Sequence, residues 1–319
     1  MKLNIYAALT VLLCACSPTN AAETADPIVT INIDPPSFER PAETKFEDVL
    51  AEYQYLNQRL ARVTAPLRIA NAELCGETYR DPGFSTHRLS DYPPPLQPIA
   101  MELLNMTEDG LHIRSVRPNS SAWDAKLEPG DRILSVNSQP ISSDPSMRKY
   151  NEAVIRNGFS LARPRLTVRT AQGREFTARI KPQTACEAPV RVIFSDNVNG
   201  HTDGVDVLIT SALMKTVPDD TNLALVVAHE MSHLIAGHFS QAPSQDLELE
   251  ADRMALVLLA RAGYDVESAV AYWESADHPH EGGDLPESSH PTTGARYENF
   301  KTELDRINKT RNRSDLSFN

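Results

Sequence analysis

A largely apolar run between positions 222 and 238 constrains this chain most, because polar residues interrupt it at His229, Glu230 and His233. Residues that can cap a helix precede the run, and Gly237 offers a stop at its end. The pattern predicts a buried helix on which His229 and His233, four residues apart, project from one face. Two neutral imidazoles at this spacing can bind one Zn²⁺ at about 2.0–2.1 Å, with Glu230 beside them as a general base.

A chance match is the alternative explanation for this motif. A chain with this content of His and Glu contains H-E-x-x-H by accident in about one or two cases per hundred. Burying the three polar side chains without partners would cost about 1–3 kcal/mol each, and a bound metal removes that cost. The apolar context of the motif therefore favours a metal site.

A hydrolytic zinc site needs a third protein ligand and an open position for water. The sequence offers four candidates downstream: His238, Glu248, Glu250 and Asp252. His238 follows His233 by five residues and would rotate off the ligand face of a continuing helix, and Glu250 points elsewhere on the next predicted helix. Glu248 and Asp252 lie four apart on one face of that helix, so either can bind the metal while the other accepts a hydrogen bond from a ligand imidazole. The residues alone leave these two open.

The first 16 residues are predicted to be a targeting sequence. A basic start is followed by an apolar stretch to Leu13 that is too short to span a bilayer. Leu13-Cys14-Ala15-Cys16 resembles the lipobox of bacterial lipoproteins, which implies lipidation at Cys16 and a place on the periplasmic face of the outer membrane. A plain secretory signal and a soluble periplasmic protein are the alternative. In the lipoprotein case the acyl chains are the only membrane contact.

Two cysteines, Cys75 and Cys186, remain after the targeting sequence. In an oxidising compartment such a pair predicts a disulfide, with two free buried thiols as the alternative. The formal net charge of -12 argues against nucleic acid as a partner and against broad electrostatic attachment to anionic lipid.

Between about residues 99 and 183, short β-like runs alternate with turns. The features are a G-L-x-I-x-S-V strand from Gly110, a P-x-S-x-A turn from Pro118, and L-x-P-G-D-x-I-L-S-V-N-x-x-P-I ending at Ile141. This stretch resembles a PDZ domain. The resemblance implies that an extended peptide can bind as an added strand at the edge of the sheet. A PDZ domain that only packs against the rest of the chain and restricts access is the alternative.

Four motifs in the last third of the chain occur in a characteristic order. They are N-G-x-T-D-G-x-x-V-x-I-T-S-A-L from Asn199, H-E-x-x-H, E-x-E-A-D-R from Glu248, and S-H-P-x-x-x-x-R from Ser289. Together they resemble the gluzincin metallopeptidases of the HtpX, BepA and CAAX-prenyl-protease type. The chain departs from that pattern at Gly200 and Ala212, where relatives more often have Ala and Gly.

The resemblance implies roles for individual residues. Glu248 is the third metal ligand and Asp252 contacts a ligand from behind. His290 is expected near the metal as a transition-state donor or an occluding fourth ligand, and Arg296 is the basic partner close by. The resemblance also implies that the strand carrying Val205, Val207 and Ile209 is an edge strand that holds substrate.

We therefore expect an α+β fold: a mostly helical zincin-type peptidase domain with a small edge-strand sheet, preceded by a β-rich PDZ domain and an N-terminal helix. The expected divisions are a signal peptide (1–16), a tether (17–42), an N-terminal helical segment with a Pro-rich connector (43–98), the PDZ domain (99–183), the peptidase domain (187–308) and a flexible tail (309–319).

The expected function is that of a zinc-dependent endopeptidase of the bacterial cell envelope, with one Zn²⁺ per chain. Its partners would be unfolded or misassembled envelope polypeptides, which the PDZ domain selects or gates. The alternative is a non-proteolytic periplasmic chaperone or scaffold with a latent or structural zinc site. The presence of Glu230 favours hydrolysis, because that residue supplies the base.

Overall fold

The structure is a computed structural model that describes residues 45–107, 110–217, 219–274 and 291–311. The predicted lipidation site Cys16 and the predicted metal-proximal His290 lie outside these residues. None of the helices in the described ranges combines the length and the apolar character needed to cross a bilayer.

A β-rich middle region and a mostly helical C-terminal region confirm the predicted α+β class. The helices are α1 (Phe46–Ala70), α2 (Gln97–Leu103), α3 (Ser121–Asp124), α4 (Arg148–Phe159), α5 (Ser211–Thr216), α6 (Asp220–Ala236), α7 (Gln245–Ala262), α8 (Val266–Glu274) and α9 (Thr293–Arg311). The strands are β1 (Thr78–Asp81), β2 (Phe84–His87), β3 (His112–Val116), β4 (Arg132–Val136), β5 (Gln139–Pro140), β6 (Arg165–Arg169), β7 (Glu175–Arg179), β8 (Gln183–Cys186), β9 (Val190–Ile193), β10 (Gly200–Thr202) and β11 (Val207–Thr210).

Helix α1 is part of the same core as the predicted active helix. Its Leu56, Leu60, Val63 and Leu67 are buried in one apolar cluster with side chains of α6, α7 and β11. The buried Arg59 of α1 also donates to Asp220 at the start of α6, over 3.0 Å. The N-terminal helical segment that the sequence sets apart from the peptidase unit therefore packs as one of its core helices.

A three-stranded sheet in the order β10-β11-β9 lies against this helical core. Strand β11 pairs in parallel with β9 and antiparallel with β10. It is therefore the central strand of this sheet.

The β-rich middle of the chain forms a sheet in the order β2-β3-β4-β6-β7, with β5 paired to β4. Its core contains Ile113, Ile133, Leu166 and Val168. Strand β2 belongs to this sheet, although the sequence predicts only a loop-rich connector at residues 76–98. The strand has four residues, and Phe84 is its only apolar side chain. This is too short to show an alternating pattern, so the sequence does not reveal the strand.

A two-stranded antiparallel ribbon connects this sheet to the helical core. Strand β1 leads from the helical core into the sheet, and β8 leads back to the core. In the ribbon Thr78 lies opposite Cys186 and Asp81 lies opposite Gln183. Cys75 and Cys186 form a disulfide at the base of the ribbon, with their Cα atoms 5.5 Å apart. The β-rich domain is thus an insertion between α1 and β9, cross-linked where the chain leaves and re-enters the core.

Candidate metal and active site

Helix α6 presents the H-E-x-x-H motif because its two ends are fixed by local hydrogen bonds. Asp219 caps the first turn by accepting from the N–H of Asn222 over 2.9 Å. The last turn ends at Gly237, whose φ of 67° lies in the left-handed region that favours glycine. Between these ends the helix is almost wholly buried, so His229 and Glu230 point into the interior rather than into solvent.

The side chains of His229, His233 and Glu248 converge on one point. Nε2 of His229 lies 3.2 Å from Nε2 of His233 and 3.3 Å from Oε2 of Glu248. Nε2 of His233 lies 3.6 Å from Oε1 of Glu248. Ligands about 2.0–2.1 Å from one tetrahedral Zn²⁺ are separated by about 3.3–3.4 Å, so the three distances fit a tetrahedral zinc ion with a fourth position left over.

The second nitrogen of His229 faces Asp252 of α7. Nδ1 of His229 lies 2.9 Å from Oδ1 of Asp252, which orients the ring and directs the Nε2 lone pair towards the ligand cluster. Burial raises the pKa of Asp252, but the charge of Arg296 and hydrogen bonds from Arg296 and His229 outweigh it and lower that pKa to about 2. Asp252 is therefore an ionised acceptor behind the ligand, as the family resemblance implies.

Arg296 lies on the far side of this pair. Its Nε and Nη2 donate to the two carboxylate oxygens of Asp252 over 2.8 and 2.6 Å, and its guanidinium stacks over the ring of Trp273 at 4.2 Å. It approaches His229 from the Nδ1 side, with Nη2 3.3 Å from Nδ1, whereas the ligand cluster lies on the Nε2 side. Arg296, expected as a basic partner close to the metal, thus contacts the ligand His229 from behind rather than the ligand cluster itself. Arg296 is a positioning residue that acts through Asp252.

The second nitrogen of His233 faces His238. The two Nδ1 atoms lie 2.9 Å apart, and His238 is only 6% exposed. On its other side, Nε2 of His238 lies 3.7 Å from Oε2 of Glu250. Sequence reasoning missed this contact because it compared His238 only with the ligand face of a continuing helix. The left-handed turn at Gly237 instead folds the chain back over the last turn of α6.

The two ligand imidazoles titrate very differently when no metal is bound. Burial lowers the pKa of His229, but hydrogen bonds to Asp252 and Glu248 outweigh it and raise that pKa to about 10. Burial, followed by the charge of His229, lowers the pKa of His233 to about 4. The metal-free cluster therefore carries its proton on His229, and a metal must displace that proton to bind.

Glu230 lies beside strand β10. A Cβ atom placed on Gly200 of β10 would be 3.9 Å from Cγ of Glu230, so the strand runs directly past the predicted general base. A Cβ on Gly204, after the strand, would lie 3.3 Å from the ring of Phe239, beyond the end of α6. Strand β10 and the turn after it thus run beside the motif helix and its end.

The structure contradicts the predicted substrate edge at Val205, Val207 and Ile209. Val207 and Ile209 are fully buried in β11, whose two edges are already paired with β9 and β10. Val205 is 70% exposed in the turn before β11. The alternating apolar pattern identifies a buried central strand, and the outer edge of this sheet belongs to the three residues of β10.

Two family profiles match separate parts of this architecture. Residues 112–154 match the profile of the PDZ domain, and residues 189–247 match that of Peptidase family M48. A comparison with curated proteins gave no match.

Solved structures with partial similarity to this chain include two that contain PDZ domains. A PDZ domain of HtrA3 bound to a phage-derived ligand (FGRWV) is 23% identical, with a TM-score of 0.25, over 34% of this chain and 89% of that one. A PDZ domain protein from Parabacteroides distasonis is 17% identical, with a TM-score of 0.25, over 35% of this chain and 21% of that one. The chain thus combines a region that is similar to the PDZ domain with a region that is similar to Peptidase family M48.

Proposed function

We propose that this protein is a zinc-dependent endopeptidase that hydrolyses unfolded or misassembled polypeptides of the bacterial cell envelope. The observation that carries the proposal is the convergence of His229, His233 and Glu248 at separations of 3.2 to 3.6 Å. Two imidazoles and one carboxylate, which leave a fourth position among the described residues, are the ligand set of hydrolytic rather than structural zinc sites.

Each residue of the site has a distinct task in peptide hydrolysis. Zn²⁺, when bound, supplies Lewis acidity and lowers the pKa of a coordinated water towards about 7. Glu230, beside the ligands on the same helix, accepts the proton of the attacking water and passes it to the leaving amine. Asp252 keeps the Nδ1 proton of His229 in place, so that Nε2 remains a lone-pair donor throughout.

Strand β10 is the surface on which we place the substrate. Among the described residues its only strand partner is β11, so its other edge can pair with an extended polypeptide. Main-chain hydrogen bonds recognise any extended sequence, and folded proteins rarely expose one. Such a cleft therefore favours unfolded chains over native ones, and the PDZ domain supplies a second contact for selection.

The proposed location is the periplasmic face of the outer membrane, with Cys16 as the lipidated residue. The lipobox-like sequence before Cys16 and the Cys75–Cys186 disulfide both support an exported protein. In cell fractionation, Cys16→Ser should move the protein from the outer membrane to the soluble periplasm. Unchanged membrane association of that variant would contradict the anchor.

The enzymatic proposal is tested by comparing the wild-type protein with Glu230→Gln. We expect one zinc per chain in both, cleavage of an unfolded model protein with blocked ends by the wild type, and loss of at least about a thousandfold in rate for the variant. Glu187→Gln, at an exposed position, serves as the matched control and should cleave normally. Persistent cleavage by Glu230→Gln would exclude Glu230 as the base, and zinc without any cleavage by the wild type would favour a scaffold.

A further inference from the structure

The PDZ sheet of this protein ends in a strand with an open edge. Strand β2 is the terminal strand, and β3 is its only strand partner in the described part of the chain. Helix α4 runs beside it: the ring of Phe159 packs against that of Phe84 at 5.8 Å, and Arg148 forms an ion pair with Asp91, just beyond the strand. Strand and helix therefore bound a groove along the outer edge of β2.

The backbone of β2 offers hydrogen-bonding groups to this groove. The C=O of Gly83 accepts from the N–H of Arg117 over 2.8 Å, and Phe84 is the next residue, opposite Val116. Bonded and non-bonded pairs alternate in an antiparallel ladder, so the N–H and C=O of Phe84 face away from β3 and towards the groove. An extended peptide can pair with them as a further strand.

The start of β2 decides which part of a peptide can bind there. A terminal carboxylate needs several free N–H groups, but Pro82 has none and the N–H of Gly83 donates to Oδ1 of Asp81 over 2.7 Å. Asp81 is only 6% exposed and is held by an ion pair with Arg117. The chain's own carboxylate thus occupies this position, and a second one would meet its negative charge.

Next to the start of β2 the protein also contains a cavity. A cavity of about 320 Å³ adjoins the start of β2 and separates it from α1. Its lining includes Asp81, Gly83 and Phe84 on one side and Ala61 and Ala65 of α1 on the other, together with the side chains of Arg62, Arg68 and Arg117. A polypeptide that passes the start of the strand therefore has room to continue, which a chain end would not need.

We propose that the edge of β2 binds internal extended segments of polypeptide and rejects C-terminal carboxylates. The inference rests on the proposed function, in which the bound segments belong to unfolded substrates. A domain that reads internal segments can engage a misassembled protein wherever an extended stretch is exposed, without requiring an end.

The test uses the full chain carrying Glu230→Gln, which should bind peptides without cleaving them. Two phage libraries present the same random peptides, either with a free C-terminus or embedded between flanking residues. We expect enrichment from the embedded library only, and protection of the amides of residues 84–87 from hydrogen exchange when an enriched peptide is bound. Enrichment that depends on a free carboxylate, protection confined to β10, or no enrichment from either library would overturn the inference.

A second variant isolates the charge at the start of β2. Asp81→Asn, made in the same chain, keeps an oxygen for the N–H of Gly83 but leaves the positive charge of Arg117 uncompensated. We expect its affinity for a peptide with a free C-terminus to rise about tenfold relative to the amidated peptide. Asp124→Asn, at an exposed position of the same domain, is the control. An equal response of both variants would contradict the role of Asp81, whereas the cleavage assay with wild-type protein tests the proposed function independently.

Discussion

Nδ1 of His233 lies 2.9 Å from Nδ1 of His238, which the left-handed turn at Gly237 brings back over the end of the motif helix. When Nε2 of His233 binds a metal, its Nδ1 must carry the proton and donate it to His238. His238 then carries its own proton on Nε2, on the side of Glu250. Each ligand imidazole thus has an acceptor behind it, Asp252 for His229 and His238 for His233.

The first prediction concerns this acceptor. His238→Ala should weaken zinc binding by about 10- to 100-fold, because the ring of His233 loses the partner that fixes its orientation and tautomer. Competition with a chromophoric chelator measures the affinity directly, independently of cleavage. His201→Ala removes an exposed histidine of β10 and should leave the affinity unchanged. An affinity in His238→Ala equal to that of the control would show that His233 does not depend on His238.

The second prediction concerns the buried pair of Asp252 and Arg296. Arg296→Gln should lower the free energy of unfolding by about 1.5–3 kcal/mol, because the buried carboxylate loses the hydrogen bonds of the guanidinium and keeps only the protonated His229 as a counter-charge. The double variant Asp252→Asn/Arg296→Gln should lose less than the sum of the two single variants. Chemical denaturation of the zinc-free proteins measures these values. Arg253→Gln, an exposed neighbour on α7 that donates to Asn299, should change stability by less than about 0.5 kcal/mol. Additive losses in the double variant would contradict the coupling.

The third prediction concerns two histidines buried in the PDZ domain. Burial, followed by the charges of Arg114 and His112, lowers the pKa of His87 to about 2, and burial also lowers the pKa of His112. The unfolded chain therefore binds more protons below about pH 6.5, and stability should fall as the pH drops below that value.

A histidine that stays neutral in the folded protein while the unfolded chain takes up its proton contributes a slope of up to about 1.4 kcal/mol per pH unit, and the low pKa of His87 predicts this behaviour for His87. His87→Gln should therefore show a shallower loss of stability than the wild type between about pH 6.5 and pH 5, measured by urea unfolding. His201→Gln, exposed in β10, should follow the wild-type curve. Parallel curves for His87→Gln and the wild type would mean that His87 is not held neutral in the folded protein.

The sequence predicts the chemistry of the site better than its surroundings. His229, His233 and Glu248 follow from fixed spacing on two helices, because helical periodicity determines which side chains share a face. His238 could not be placed in the same way, since its position depends on a change of backbone direction at Gly237. Apolar periodicity also shows that Val207 and Ile209 lie in a strand, but burial on both faces is compatible with a central as well as an edge position. Which strand forms the edge of the sheet depends on pairing between residues that are distant in sequence. A local pattern of apolar residues does not contain that pairing.

The last prediction uses the backbone pattern of β10. The N–H of Asp203 donates to the C=O of Asp206 and the N–H of Thr210 donates to the C=O of Asn199, so these pairs are the bonded ones in the hairpin. Alternation then directs the N–H of Thr202 to the outer edge of the sheet. Thr202→Pro removes this donor and leaves the main-chain bonds between β10 and β11 in place.

We expect Thr202→Pro to lower kcat/KM for an unfolded protein by about two- to tenfold, which corresponds to one hydrogen bond of about 0.5–1.5 kcal/mol to the substrate backbone. The hydroxyl of Thr202 also bonds to the C=O of Asp206, over 2.9 Å, and proline removes that contact as well. Thr202→Val separates the two effects, because it lacks the hydroxyl but keeps the N–H and the branched shape. Both variants should retain zinc. If Thr202→Val loses as much activity as Thr202→Pro, the outer edge of β10 is not the surface that binds the substrate.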